Sequence, residues 1–90
     1  MWFVYILLCA DTSLYCGSSD DPEARFELHK SGKGAKYTRS HKPLRIIYKE
    51  KLESKSTALK REAEIKSWSR GRKIKDLRLK IQEGSELLKK

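Results

Sequence analysis

Ninety residues carrying 21 lysines and arginines against 12 aspartates and glutamates, a net charge of +9, allow one domain with one modest core. That surplus of cation suits a polyanionic partner, and no apolar run approaches the ~20 residues a helix needs to cross a bilayer, so a membrane-spanning role is excluded. No secretory leader precedes the first apolar run, so Cys9 and Cys16 read as reduced, small core residues and the protein is expected in the cytoplasm.

Trp2 to Cys9 is an almost unbroken apolar run, rich in aromatic and branched residues and short enough for a strand. Residues 10–13 are turn-like and 14–18 form a second strand, making a hairpin with Tyr5 on one strand and Tyr15 on the other. Side chains alternate faces along a strand, so the two tyrosines share a face only if odd residues oppose odd ones, for instance Cys9 opposite Tyr15 and Leu7 opposite Gly17. Gly17 on that face leaves room for backbone or substrate to approach.

Asp21, Pro22 and Glu23 form a helix start, with Asp21 as N-cap, and the helix runs to about Lys30 before Ser31 and Gly32. At ~100° per residue Ala24 and Leu28 fall together, and Arg25 and His29 stack four apart inside that apolar arc. Residues 32–42 are a basic loop with a short helical turn near 35–39, and Pro43 to Leu52 is a third strand. Ser54 or Ser56 caps a helix reaching about residue 68, and a last helix spans 71–82 with Ile74, Leu77 and Ile81 as its buried stripe. Residues 83–90 read as a frayed tail, leaving 1–82 as the domain. The expected fold is α+β: a small three-stranded antiparallel sheet flanked by helices, in the order β-β-α-β-α-α. The first strand, apolar on both faces, belongs in the middle.

Charge is unevenly spread. Residues 1–27 hold one basic side chain against five acidic ones, whereas from Leu28 to Lys49 there is no acid. Lys30, Lys33, Lys36, Arg39 and Lys42, interleaved with Tyr37, form a candidate surface for a phosphate backbone. On the helix after Ser56, Ala58, Leu59, Ala63, Ile65 and Trp68 define the expected buried arc; Glu62 falls near its middle and Glu64 points away. A carboxylate facing the core needs a cation, which can be a metal or Arg25 in a structural ion pair.

Val4-Tyr5-Ile6 and Tyr15-Cys16-Gly17 resemble the two signatures of the GIY-YIG nuclease domain, and residues 31–39, 42–48 and 58–66 resemble its very small single-domain bacterial members. The resemblance covers about residues 2–80 and implies a site made of Tyr5, Tyr15, Arg25, His29 and Glu62, with Glu62 holding one Mg²⁺ or Mn²⁺. Some members add an asparagine; this chain has none, and Lys30 stands where the small relatives often carry it. The implied activity is metal-dependent hydrolysis of DNA phosphodiester bonds, directed by branched, damaged or single-stranded structure or by a protein partner rather than by sequence. Arg25 would grip phosphate oxygens, and Tyr5 or His29 would activate water, a phenol with a lowered pKa favouring Tyr5. The competing expectation is a nucleic-acid-binding module that keeps the scaffold without the chemistry.

Overall fold

The computed structural model describes residues 1–81. Strands β1 (Trp2–Cys9), β2 (Leu14–Ser19) and β3 (Pro43–Leu52) form one antiparallel sheet in the order β2-β1-β3. The helices are α1 (Pro22–Lys30), α2 (Lys36–Ser40), α3 (Lys55–Lys66) and α4 (Arg70–Asp76). The expected α+β order holds, with the short turn in the basic loop present as α2. Among the described residues no helix is long and apolar enough to cross a membrane.

β1 is central because both of its faces are apolar, and residues 4–9 are all buried. Its even face, Val4 and Ile6, joins Cys16 of β2 and packs against Ala58 and Ile65 of α3 and Leu79 after α4. Its odd face, carrying Tyr5, looks toward α1 and α2. β3 pairs with β1 through two register shifts, one between Ile6 and Leu7 and one between Leu8 and Cys9.

The hairpin keeps the required parity but sits two residues away from the expected pairs. Tyr5 opposes Gly17 and Leu7 opposes Tyr15, rather than Leu7 opposing Gly17. The turn is tighter than its polar stretch suggests: Cys9 N–H donates to the Ser13 carbonyl, and Thr12 takes a left-handed φ of 66°. The Asp11 carboxylate accepts from the Ser13 backbone and hydroxyl, which holds the turn closed.

Helix starts follow their caps. Asp21 accepts from Ala24 N–H, and Ser54, not Ser56, forms a capping box with Thr57. α3 ends at Lys66, two residues before the expected limit. The last helix departs furthest from expectation, ending at Asp76 rather than near residue 82. Arg78 turns left-handed at φ 54°, Leu79 N–H reaches back to the Ile74 carbonyl, and Arg78 N–H bonds to Lys75. This is a Schellman closure, with Leu79 as its buried apolar residue. Ile74 and Leu77 pack on the core as expected, but Leu79 replaces Ile81 as the buried anchor. The expected tail at 83–90 lies outside the described residues.

Candidate active site

On α1 the inward face is polar. Leu28 is 44 % exposed and Ala24 is exposed, so the expected apolar arc faces solvent, while His29 is 1 % exposed against the sheet. The Tyr5 hydroxyl lies 3.0 Å from His29 Nε2, and His29 Nδ1 lies 2.8 Å from the Thr38 hydroxyl of α2. Tyr15 packs its ring 5.0 Å from the same imidazole. The shared face that strand parity demands of the two tyrosines is therefore met, with His29 between them.

Two glycines make this packing fit. A Cβ on Gly17 would stand 2.6 Å from the Tyr5 hydroxyl and 3.1 Å from the Tyr15 ring, and one on Gly34 would overlap the His29 imidazole. Gly17 accommodates side chains, where the sequence had suggested backbone or substrate.

Burial pushes the Tyr5 phenol well above its ordinary value, opposed by the Arg25 guanidinium and reinforced by the charges of Tyr15 and Glu62. Burial likewise raises Tyr15. Tyr5 is thus a phenol at neutral pH, contrary to the lowered pKa that would let it act alone. His29 moves the other way: burial, and then Arg25, lower it from 6.5, so the imidazole is neutral and one ring nitrogen keeps its lone pair.

Glu62 reaches the site from the other side of the sheet. α3 packs on the even face, and Glu62 meets Ser18, a residue of the edge strand β2. Its side chain is 16 % exposed; one oxygen accepts from the Ser18 hydroxyl at 2.6 Å and the other pairs with Lys66 at 2.7 Å. The Lys66 ammonium also lies 5.9 Å from the Tyr15 ring centroid, bridging the carboxylate to the tyrosine face. The structural ion pair between Glu62 and Arg25 is not formed: Lys66 takes that place, and the Arg25 side chain makes no hydrogen bond or ion pair among the described residues. On α3, Leu59 is 48 % exposed and Ala63 is exposed, so the buried stripe is narrower than the wheel predicts, running through Ala58, Glu62 and Ile65.

The donor set bears on a metal. No cluster of three or more His, Cys, Asp or Glu side chains occurs among the described residues. A lone carboxylate suits Mg²⁺ or Mn²⁺, which keep much of their water shell, better than a cation needing an all-protein cage. That carboxylate already holds a stand-in cation, the Lys66 ammonium.

The basic stretch forms two shallow grooves that share Gly32 and Arg39. One, of about 420 Å³, is bounded by Lys33, Gly34, Ala35 and Lys36, and the other, of about 490 Å³, by Lys30, Ser31, Thr38, Lys42 and Pro43. Tyr37 stacks its ring on Tyr15 at 5.8 Å and on His41 at 4.0 Å, joining the basic loop to the tyrosine face. Thr38, Gly34, Ser18 and Lys66 were not candidates from the sequence. Only Lys66 carried a signal, its spacing of four from Glu62.

The family model described as the GIY-YIG catalytic domain matches residues 1–75. This chain belongs to the GIY-YIG family. UPF0213 proteins of Staphylococcus aureus, including those of strains Mu50 and COL, are 51 % identical to it over 73 residues, covering 81 % of this chain and 89 % of theirs. The solution structure of the UPF0213 protein BH0048 from Bacillus halodurans is similar at a TM-score of 0.53 and 43 % identity, covering 83 % of this chain and 81 % of that one. The GIY-YIG fold thus extends over the two-faced sheet and its helices, and its nuclease superfamily sets the chemistry against which the site is read.

Proposed function

We propose that this protein is a metal-dependent endonuclease that hydrolyses DNA phosphodiester bonds, choosing substrate by shape rather than sequence. The observation that carries the reading is the buried contact of Tyr5 with a neutral His29, on a face shared with Tyr15. A water molecule brought in with the substrate beside Tyr5 gives a proton to the phenol oxygen while the phenol gives its own to His29 Nε2. The resulting hydroxide forms the new P–O bond as the bond to the leaving oxygen breaks, and that oxygen takes a proton from solvent. Arg25, whose side chain has no hydrogen-bond or ion-pair partner among the described residues, would place its guanidinium on the non-bridging oxygens. Its charge also disfavours imidazolium, which returns the His29 proton after each turnover. Tyr15, raised by burial, serves as a hydrogen-bond donor to phosphate or water. Glu62 would hold Mg²⁺ or Mn²⁺, which supplies Lewis-acid stabilisation of the developing charge.

Lys30, Lys33, Lys36, Tyr37, Arg39 and Lys42 are the proposed DNA contacts, on the grooves beside this face. A second reading, a nucleic-acid-binding module without chemistry, draws on one observation: Ser18 and Lys66 already satisfy Glu62 without a metal. The experiment that separates the two uses plasmid, single-stranded, flap and four-way DNA with Mg²⁺ or Mn²⁺. An endonuclease nicks at least one of these, and Glu62→Ala abolishes nicking while binding persists. No metal-dependent nicking on any substrate, or undiminished nicking by Glu62→Ala, overturns the proposal.

A further inference from the structure

Thr38 stands between the basic loop and the buried imidazole, and its hydroxyl has one proton to give. It donates to the Ala35 carbonyl at 3.0 Å, so toward His29 Nδ1, 2.8 Å away, it can only accept. Nδ1 must then carry the imidazole hydrogen, and Nε2 presents its lone pair to the Tyr5 hydroxyl at 3.0 Å.

The opposite assignment leaves a proton stranded. If the Thr38 hydroxyl turned to a bare Nδ1, Nε2–H would donate to the Tyr5 oxygen, and the phenol hydrogen would need another acceptor. Tyr5 is 1 % exposed and has no other hydrogen-bonding partner among the described residues. An interior donor left unmet loses its hydration with nothing in return, which disfavours this assignment. Only one assignment satisfies all three protons: Tyr5 to His29, His29 to Thr38, Thr38 to Ala35. Thr38 is itself 2 % exposed, and Gly34 seals the ring from the loop side.

We propose that Thr38 is a positioning residue that fixes the tautomer of His29, so that Nε2 is always the nitrogen aimed at Tyr5. Its kinetic consequence rests on the nuclease reading above; the tautomer itself does not. A second consequence follows from its place on α2. The five-residue helix that turns Thr38 inward carries Tyr37 and Arg39 on its exposed side, so the segment proposed to touch DNA also sets the proton relay.

The test is ¹⁵N-detected NMR of the histidine rings in metal-free protein, with the His41→Gln background used to assign His29. Wild type and Thr38→Ser are expected to show the hydrogen on Nδ1. Thr38→Val, which keeps the shape and loses the acceptor, leaves one donor unmet in either tautomer and is expected to raise Nε2–H from nil to a measurable share. On a cleaved DNA, Thr38→Val should lose about 10²-fold or more in kcat with KM little changed, and Thr38→Ser should recover it. A wild-type ring protonated on Nε2, or a Thr38→Val ring with the wild-type share of Nδ1–H, overturns the proposal. Because the wild-type and Thr38→Val spectra need neither metal nor substrate, together they judge Thr38 even if no DNA is cut and the nuclease reading falls.

Discussion

At the scale of single residues the site is a problem of room as much as of charge. Tyr5 fits beneath β2 because Gly17 has no side chain, and the hydroxyl lies where an alanine methyl would stand. Gly17→Ala should therefore displace the phenol from His29 and destabilise the fold by about 1–3 kcal/mol, read as a lower urea midpoint with unchanged slope. A midpoint equal to wild type would mean that the pocket tolerates the methyl and that Gly17 has another role. Tyr5, Tyr15, Arg25, His29 and Glu62 could be named from the sequence because their order resembles the family's. Thr38 and Gly34 could not: a threonine and a glycine inside a lysine-rich loop look like solvated linker until α2 turns one inward and the other meets the imidazole. The protonation logic was also illegible, because burial, which raises Tyr5 and lowers His29, is a property of the assembled sheet and helices.

At the scale of elements, local signals with a mechanism were readable and those depending on long-range fit were not. Asp21 and Ser54 cap helices because their side chains satisfy N–H groups a few residues on, which sequence alone displays. The hairpin register depends on how tightly Asp11 folds the turn, and α4 stops because Arg78, rather than a glycine, goes left-handed so that Leu79 can be buried. α1 misled the wheel because its inward face serves His29 rather than the core. On α3 Glu62 turns to the edge of β2 and pairs there with Lys66 at i,i+4, so a divalent ion, if bound as proposed, would contend with the ammonium for one carboxylate. Lys66→Met should bind Mn²⁺ about three- to tenfold more tightly by titration calorimetry, a range matching the loss of one modest ion pair. Equal or weaker affinity would mean that Lys66 does not oppose the metal.

For the whole molecule, the sheet divides the work. One face carries the core with α3 and α4, the other carries the tyrosines with α1 and α2, and Glu62 and Lys66 meet the second face at the free edge of β2. Residues 28–49, which include the basic loop, hold seven lysines and arginines and no acid, so the proposed association with DNA should weaken steeply with salt. Lys36→Ala and Arg39→Ala should each reduce the slope of log affinity against log salt by about one and leave the rate from the bound state nearly unchanged. Loss of rate without loss of slope would move these side chains from the binding surface into the reacting centre. The most direct test of the account is the pH dependence of single-turnover DNA cleavage, because it asks which group receives the proton. If Tyr5 passes its proton to a neutral His29, the rate rises with pH through a midpoint below 6.5, the ordinary histidine value, and is level above about pH 7. A rate that keeps rising toward the phenol range near ~10, or that has no such acid limb, would contradict it.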